Sequence, residues 1–313
     1  MRIRITRRGA ELDRTPEVLA RVRSELHVKP FSPQNPFTRA FAAYVDYAAN
    51  GSVVVPLHWA RDTFANATWV DERSPATRID VRFRGALRGD LQQPAAVAAV
   101  MQSLRDTGGA VLCSGVGAGK TTMALYTAAQ LGLKTLVLVH TSTLKQQWKE
   151  RVAQFLPGAR VSEVQGPKCD TSGDIVVAMI QTLMSRTVDL GDVGFTLFDE
   201  SHHAGAECFS RVLFGLNARY TLGLTATPRR KDRLERLITW FLGPIAYTTT
   251  RTASTATTVR VTPYTCAAYA QPPPLNRRGD IDFTAIVTAL AEDERRTRVV
   301  VDAAARAVAD GRD

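Results

Sequence analysis

The chain has 313 residues, 45% of them hydrophobic, and its 40 Lys and Arg against 30 Asp and Glu give a net charge of +10. This length predicts about two domains with a sizeable core, and no run of about eighteen apolar residues is present to span a membrane. The basic excess favours a polyanionic partner, most often nucleic acid, although an excess of charge also serves solubility alone.

The amino terminus and the cysteines bear on the compartment. The first residues, MRIRITRRGAELDR, are basic but include no apolar segment of the kind that secretory signals contain. The four cysteines are scattered and form no C-x-x-C pair, which favours a reducing compartment over a disulfide framework or a zinc site. We therefore expect an intracellular protein, in the cytoplasm or nucleus, and leave a viral origin open.

Residues 1–84 are predicted to form a small α+β module. RIRI alternates as a strand does, Pro16 to His27 has helical spacing, Ser52 to Leu57 reads as a buried strand, and Arg78 to Phe83 alternates again. Aromatic side chains here either stack on bases or belong to the core, which is the more usual place. These side chains are Trp59, Phe64 and Trp69.

From Gly85 the pattern changes to strands that alternate with helices, which is typical of a mostly parallel α/β sheet. The first helix is predicted from about Gln93 to Leu104, with Pro94 in its first turn, where a missing N–H costs nothing. Gln92 lies just before this helix. A glutamine there can recognise adenine by donating and accepting hydrogen bonds at once, or can be a solvated residue at a helix start.

Leu112 to Thr122, LCSGVGAGKTT, lies between a short apolar run and a helix-compatible segment. Its glycines allow successive N–H groups to turn inward around phosphate oxygens. Lys120 would supply a charge for the outer phosphates and Thr121 a hydroxyl for Mg²⁺. The strict Walker A pattern has Gly where Ser114 stands. The predicted nucleotide-binding residues are Gln92, Gly115, Val116, Gly117, Ala118, Gly119, Lys120, Thr121 and Thr122.

The next strand, Thr135 to Val139, is followed by a helix with one apolar face that includes Trp148, which we expect in the core. The turn between them, His140 to Thr143, presents hydroxyls and N–H groups at a helix start. A phosphate of a bound strand could lie there, but Ser and Thr at that place are also ordinary N-caps.

A strand over Phe195 to Phe198 ends in Asp199-Glu200-Ser201-His202-His203. Two carboxylates then lie at the carboxyl edge of the sheet, where ligands bind in such folds. Asp199 would hold Mg²⁺ and Glu200 would orient and deprotonate the attacking water. The adjacent histidines lack the i, i+4 spacing of a helical zinc pair. A last strand, Tyr220 to Leu224, leads into Thr225-Ala226-Thr227.

Five segments in fixed order carry a family resemblance: GVGAGKT, TSTLKQQW, IQTL, DESH and TAT. Over about Leu87 to Tyr247 the chain resembles the first motor domain of a superfamily 2 helicase of the DExH type. Within that group it looks like XPB-type helicases and their relatives in large DNA viruses. The resemblance implies a RecA-like P-loop domain.

The resemblance also implies residue roles. Gln92 would recognise adenine, while Lys120, Thr121, Asp199 and Glu200 would act as described above. Residues implied to couple hydrolysis to movement on the strand are His202, Thr225 and Thr227. Residues implied to meet the nucleic-acid backbone are Ser142, Thr143 and Gln181. The segment VVVPLHWA in the first module is similar to the DNA-engaging domain that precedes the motor in XPB-type proteins.

The chain departs from this family after Tyr247, where nothing matches the Q-x-x-G-R-x-x-R motif of a second motor domain. We expect a module at 1–84, a motor domain at 85–250, and a linker with the start of a truncated second motor at 251–313. The amphipathic segment Glu292 to Asp310 would be its first element. The second motor domain is then missing in cis or supplied in trans, and the isolated chain is expected to bind ATP but hydrolyse it poorly.

The predicted function is that of an ATP-dependent DNA helicase or translocase that uses ATP and Mg²⁺. Duplex DNA is favoured as the partner, RNA is left open, and no membrane partner is expected. One alternative is a nucleic-acid-binding module that responds to nucleotide without turnover. Another is the translocating subunit of a restriction enzyme.

Overall fold

The computed structural model describes residues 1–31, 38–199, 206–216, 218–226, 235–249, 261–266, 271–276 and 279–310. Contacts between residues divide the chain into two compact units, Met1–Arg251 and Thr252–Asp313. Among the described residues, no helix is long and apolar enough to cross a membrane.

The first unit begins with a small five-stranded sheet, the amino-terminal sheet, in the order β5-β6-β2-β1-β7. Its strands are antiparallel neighbours except for β1 and β7, which are parallel. A separate ribbon pairs β3 with β4. In chain order the elements are β1 (Arg2–Thr6), β2 (Gly9–Asp13), α1 (Pro16–Leu26), β3 (His27–Val28), β4 (Phe41–Ala42), β5 (Val45–Tyr47), β6 (Ser52–Val55), α2 (Leu57–Thr63) and β7 (Thr68–Asp71).

Helix α1 forms where its spacing predicts it. Thr15 caps its first turn by accepting a hydrogen bond from the Val18 N–H, and Pro16 lies where no intrahelical partner is needed. The apolar side chains at helical spacing, Val18, Val22 and Leu26, are buried together with Ile3 and Ile5 of β1. The core of this region therefore lies between α1 and one face of the amino-terminal sheet.

Trp59 belongs to this core, because only 3% of its surface is exposed. Its indole N–H donates to Glu25 Oε2 at 3.0 Å, and its ring meets Phe64 edge-on at 5.8 Å. A nucleic-acid base could not stack on this ring, because other protein side chains already cover it. The core interpretation of Trp59 is therefore correct, and its interpretation as a stacking platform is wrong.

The strand predicted over Arg78 to Phe83 is wrong. The segment forms one isolated bridge, between Arg78 and Leu133, and otherwise crosses the surface of the large sheet's layer of helices. The Ile79 N–H donates to the Gly132 carbonyl, and the Phe83 ring stacks on Phe155 at 5.4 Å. Alternation arises here because apolar residues face the helices that cover the large sheet.

The rest of the first unit is an eight-stranded sheet in the order β11-β10-β12-β9-β13-β14-β8-β15. All neighbours are parallel except β10 and β11. In chain order the elements are α3 (Gln93–Thr107), β8 (Gly109–Cys113), α4 (Lys120–Leu131), β9 (Thr135–Val139), α5 (Ser142–Phe155), β10 (Val161–Gln165), β11 (Lys168–Cys169), β12 (Ile175–Met179), α6 (Ile180–Ser185), β13 (Phe195–Asp199), α7 (Ala206–Leu213), β14 (Tyr220–Thr225), α8 (Glu235–Leu242) and β15 (Ile245–Thr248).

The central strands of this sheet are buried along their whole length. Strands covered on both faces read as continuous apolar runs, which is why they could be found in the sequence. The predicted architecture, a mostly parallel α/β sheet preceded by a small α+β module, is confirmed. The residue boundaries predicted for the domains stay a prediction.

Three arginines of the amino-terminal region attach it to the opposite end of the large sheet from its carboxyl edge. Arg7, Arg61 and Arg73 donate to main-chain carbonyls that stand just before strands of that sheet. The Arg7 Nη1 and Arg73 Nη1 atoms lie 2.6 Å from their acceptors. The acceptors are the carbonyls of Leu190, Gly191 and Val193 before β13, Thr107 before β8, and Ala218 before β14.

His58 of α2 is buried at the same junction, against Gly109 of β8. A Cβ atom at Gly109 would stand 2.3 Å from His58 Nε2, so the close approach of α2 depends on the missing side chain. Burial, with the nearby Arg61 and Arg73 charges, lowers the pKa of His58 to about 3. The imidazole is therefore neutral at physiological pH.

The described part of the second unit contains two helices, α9 (Phe283–Glu292) and α10 (Glu294–Ala309). The predicted amphipathic segment Glu292 to Asp310 is confirmed as a helix from Glu294, because Asp293 ends α9 and caps α10 by accepting from the Arg296 N–H. Apolar side chains of the two helices, among them Phe283, Val287, Val300 and Val308, are exposed.

Candidate nucleotide site

The loop between β8 and α4 has the backbone of a phosphate cradle. Gly117 and Gly119 take φ angles of +81° and +82°, which side chains disfavour, and α4 begins directly at Lys120. The Lys120 Nζ atom donates to the Ser114 carbonyl at 2.9 Å and to the Gly115 carbonyl at 3.3 Å. The loop thus curls around its own lysine at the amino-terminal end of a helix, where anions are stabilised.

Gln93, which the sequence analysis did not single out, braces this loop. It is 3% exposed, its Nε2 donates to the Ala118 carbonyl at 3.0 Å, and its Oε1 accepts from the Arg88 N–H at 2.9 Å. A Cβ atom at Gly119 would stand 2.3 Å from that Nε2. The second glutamine of LQQP is therefore packed directly against the P-loop.

Gln92 is held differently. It has a φ of +57°, the left-handed region, and its Oε1 accepts from the Tyr247 hydroxyl of β15 at 3.1 Å. Strand β15 also reaches the P-loop, because the Thr249 hydroxyl donates to Ser114 Oγ at 3.1 Å. The carboxyl end of β15 thus contacts both the predicted adenine-reading residue and the first residue of the loop.

The ends of three neighbouring strands meet beside the loop. Strand β14 lies between β8 and β13, and its last residue, Thr225, pairs with Cys113 and accepts from the Ser114 N–H at 2.9 Å. Asp199 ends β13 with 6% of its surface exposed. Burial raises the pKa of the Cys113 thiol at the same edge, so it stays protonated.

A cavity of about 850 Å³ lies between the P-loop, α3 and α5. Its wall brings together Gly117, Gly119, Lys120, Thr121 and Asp199, which the sequence predicted to share a site. Further lining residues that sequence reasoning missed are Arg88, Leu91, Gln93, Leu144, Gln147, Trp148, Glu150, Arg151 and Gln154. A phosphate-sized anion would meet Lys120 and the loop N–H groups on one side and the carboxylate of Asp199 on the other.

Trp148 closes the inner wall of this cavity. It is 1% exposed, as expected of a core residue, and its indole N–H donates to Asp199 Oδ2 at 2.7 Å. Both partners are buried, and such a bond to a carboxylate is about twice as strong as one between neutral groups. The side chain of Asp199 is therefore oriented by a donor from the neighbouring helix α5.

Comparisons with known proteins agree with this geometry. Residues 88–230 match the family described as type III restriction enzyme, res subunit. "Putative ATP-dependent RNA helicase L396" of Acanthamoeba polyphaga mimivirus is 29% identical over 74% of this chain and 46% of its own length. DNA 3'-5' translocase XPB2 of Sulfurisphaera tokodaii is 36% identical over 42% of this chain and 30% of its own length. Over this region the chain is similar to superfamily 2 helicases.

A solved structure of the UvsW helicase from bacteriophage T4 has a TM-score of 0.55 with this chain at 16% identity, covering 78% of this chain and 99% of the other. At that identity the likeness shows the fold alone, which is the predicted RecA-like one. The chain spans less than half the length of the two curated relatives named above. These similarities support an ATP-dependent helicase or translocase in general.

The residues predicted to meet a nucleic-acid strand lie at the same edge of the large sheet. Ser142 and Thr143 are exposed at the start of α5, which Thr141 caps by accepting from the Leu144 N–H. Gln181 of α6 is exposed, and its Nε2 donates to the His140 carbonyl at 2.8 Å. Because β9 and β12 are adjacent, these side chains follow neighbouring strand ends. Their contact with a strand stays a prediction.

Three predicted site residues, Glu200, His202 and Thr227, lie outside the described residues. Thr225, at the end of β14, is fully buried. Its place between the P-loop strand and the Asp199 strand fits a residue that transmits movement, and that role also stays a prediction.

The residues present fit a nucleotide with its magnesium ion. Within the described ranges, no three His, Cys, Asp or Glu side chains cluster so as to hold a metal ion by themselves. Mg²⁺ is usually held by one or two protein oxygens together with substrate phosphates. Asp199 and Thr121 on the cavity wall match that donor set, and Gly119 leaves the loop backbone open where a Cβ would be obstructed.

Proposed function

We propose that this protein is an ATP-dependent translocase or helicase that acts on duplex DNA. The observation that carries the proposal is the meeting of a P-loop, a buried strand-end carboxylate and exposed polar groups at one sheet edge. Nucleotide and nucleic acid would then bind to the same rigid set of strand ends. The net charge of +10 favours a polyanion near that edge and predicts binding that weakens with salt.

The P-loop would bind the nucleotide by its phosphates. The N–H groups from Gly115 to Thr122 would donate to phosphate oxygens, and Lys120 would exchange its carbonyl acceptors within the loop for the outer phosphates. Gln92, held by Tyr247, would recognise adenine. Gln93 would keep the loop in shape from behind.

The two carboxylates, Asp199 and Glu200, would have different roles in ATP hydrolysis. Asp199 and Thr121 would hold Mg²⁺, which when bound neutralises charge that develops on the phosphates. Glu200 would orient the attacking water and accept its proton. His202, Thr225 and Thr227 would link these events to movement along the strand. Ser142, Thr143 and Gln181 would hold the strand backbone, a contact that positions nucleic acid without reading its sequence.

The amino-terminal module is proposed to engage DNA ahead of the motor domain at 85–250. A second motor domain, in cis or in trans, would supply the arginine that reaches the outer phosphate. Such a finger is worth on the order of 10³ to 10⁵ in rate. We therefore expect the 313-residue chain alone to bind ATP but hydrolyse it poorly. We assign the protein to a reducing intracellular compartment, cytoplasm or nucleus.

The test compares the purified chain with Lys120→Ala. Nucleotide binding is measured with a fluorescent ATP analogue, and ATP turnover is measured with no nucleic acid, with duplex DNA, with single-stranded DNA and with RNA. We expect Lys120→Ala to weaken Mg·ATP binding about tenfold or more, because hydrogen bonds to charged groups are lost. An unchanged affinity would refute the P-loop assignment.

The choice of nucleic acid has its own readout in the same experiment. The largest stimulation by duplex DNA would support the proposal, and the largest stimulation by RNA would overturn its DNA half. Turnover at helicase-like rates by the chain alone would contradict the expected need for a second motor domain.

The restriction-type translocating subunit is a second candidate, favoured by the family match over residues 88–230. This candidate has the same ATP-hydrolysing domain but a different biological role, because it would work beside a nuclease or methyltransferase. Co-purification with a DNA methyltransferase would favour it. The alternative without turnover predicts that Glu200→Gln leaves biological activity unchanged, whereas a motor would lose it.

A further inference from the structure

One contact in the nucleotide site connects it to the helix that begins at the proposed strand-binding residues. Trp148 lies in α5, six positions after Ser142, which is about 9 Å along a helix. Its indole N–H donates to Asp199 Oδ2 at 2.7 Å. The same helix therefore carries the exposed hydroxyls at one end and a donor to the proposed magnesium carboxylate nearly two turns later.

Burial and the single indole N–H together fix the direction of the hydrogen bond from Trp148 to Asp199. Trp148 is 1% exposed and Asp199 is 6% exposed, so water has little access to replace a lost donor. An indole has a single N–H and no acceptor, so its direction fixes where the carboxylate oxygen stands. Trp148 also lines the cavity with Lys120 and Thr121, which places the pair at the nucleotide.

A neighbouring face of α5 is anchored independently. Lys145 donates to Glu163 Oε2 of β10 at 2.6 Å, and Lys149 lies 3.6 Å from the same oxygen. Because Ser142 and Thr143 are exposed, a strand bound there can shift α5 about this anchor. Such a displacement would change the distance between the indole and Asp199.

We propose that Trp148 is a positioning residue that sets the Asp199 carboxylate for Mg²⁺ and transmits nucleic-acid binding at the start of α5 to it. This rests on the proposed function, because it takes Asp199 as a magnesium ligand and Ser142 and Thr143 as strand contacts. Trp148 itself touches neither phosphate nor metal in this scheme.

The test uses Trp148→Phe, which removes the N–H and keeps an aromatic ring. Trp59→Phe is the matched control, because Trp59 is 3% exposed and its indole donates to Glu25 Oε2 at 3.0 Å far from the cavity. Affinity for a fluorescent ATP analogue is measured across a magnesium titration, and in EDTA, with and without a short DNA duplex.

We expect Trp148→Phe to raise the magnesium concentration needed for half-maximal binding about tenfold, the loss of one hydrogen bond to a charged group. Its affinity in EDTA should stay within about twofold of wild type, and the duplex should no longer alter its magnesium dependence. Trp59→Phe should match wild type in all three measurements. A normal magnesium dependence in Trp148→Phe would overturn the proposal.

Failure of the proposed function gives a different result, since wild type would then bind no nucleotide or show no response to any nucleic acid. If Trp148→Phe does not fold, wild type labelled with ¹⁵N-tryptophan replaces it, and the Trp148 indole signal is assigned with phenylalanine variants of the other three tryptophans. That signal should shift on addition of Mg·ATP and again with duplex. An indole signal that responds to neither would overturn the proposal.

Discussion

Gly117 and Gly119 stand two residues apart in the P-loop with nearly the same backbone, φ +81° and +82°. They differ in what surrounds them. A Cβ at Gly117 would meet nothing within 4 Å, whereas one at Gly119 would stand 2.3 Å from Gln93 Nε2. Substitution at both sites incurs the same conformational cost, so a comparison of the two isolates the contact with Gln93.

We expect Gly117→Ala to lower the free energy of unfolding by about 1–2 kcal/mol, the cost of a left-handed conformation for a side chain. Gly119→Ala should cost about 1–3 kcal/mol more, because Gln93 is pushed from its acceptor and its amide is left buried. Urea unfolding measures both. In a Gln93→Ala background the difference between the two variants should shrink, as a double-mutant cycle would show. Equal effects in wild type would argue against the packing described.

Residue-level prediction from sequence reached the P-loop and the strand-end carboxylate because these depend on spacing along the chain. The role of Gln93 could not be predicted from the sequence, for a physical reason. Gln92 is the N-cap, with a left-handed φ, and Gln93 is the first residue of α3, so helical spacing does not predict which of the two side chains faces the loop. The bond from Trp148 to Asp199 likewise joins residues 51 positions apart, and helical spacing predicted only that Trp148 is buried.

At the scale of elements, α5 is fixed to the edge of the sheet by a cluster of charges around Glu163. Lys145 and Lys168 each donate to this carboxylate at 2.6 Å, and Glu163 has 13% of its side chain exposed. Hydrogen bonds from Lys145 and then Lys168 lower the pKa of Glu163 to about 2 from an ordinary 4.5. One carboxylate therefore joins α5 to the β10–β11 hairpin.

This depressed pKa has a definite sign in stability. Because the folded pKa lies below the unfolded one, the stabilisation is fully present above about pH 4.5 and is lost as the pH falls towards 2. We expect Glu163→Gln to lower the free energy of unfolding by about 1–3 kcal/mol at neutral pH. The variant should also lose less stability than wild type on acidification between these limits.

Urea unfolding at a series of pH values measures this effect. Glu72→Gln is the control, because Glu72 is an exposed carboxylate outside the cluster. If Glu163→Gln and wild type lost stability in parallel below pH 4.5, the cluster would not be the source of the depressed pKa.

At the scale of the whole first unit, Arg7 joins the amino-terminal sheet to the large one. Its guanidinium donates to the carbonyls of Leu190, Gly191 and Val193, which only a branched, planar group can reach together. We expect Arg7→Ala to lower the free energy of unfolding by about 2 kcal/mol. Amide exchange should quicken around residues 190–194, as hydrogen-exchange mass spectrometry would show.

Two comparisons make this prediction specific. Arg7→Lys should fall between wild type and alanine, since an ammonium cannot match three acceptors in one plane. Arg2→Ala, an exposed arginine of the same sheet, should leave exchange at 190–194 unchanged. Equal exchange in Arg7→Ala and wild type would show that the junction does not depend on these bonds.

The overall architecture could be predicted from the sequence more fully than the contacts between the two sheets. Buried parallel strands are short apolar runs, and helices follow their turn signals, so the alternating pattern after Gly85 indicated the sheet. The segment from Arg78 to Phe83 misled because its apolar residues alternate against helices rather than along a strand pair. The junction of the two sheets left no pattern, since its donors come from three separate elements.

The acceptors at that junction are all main-chain carbonyls, and a carbonyl is present whatever amino acid occupies the position. A comparison of related amino-acid sequences therefore cannot reveal the acceptor residue of such a bond. For these bonds only Arg7, Arg61 and Arg73 could record the pairing, and covariation between donor and acceptor positions has nothing to detect. A hydrogen bond from an arginine to a main-chain carbonyl can persist while sequences diverge, and the sequences do not show which two segments it joins.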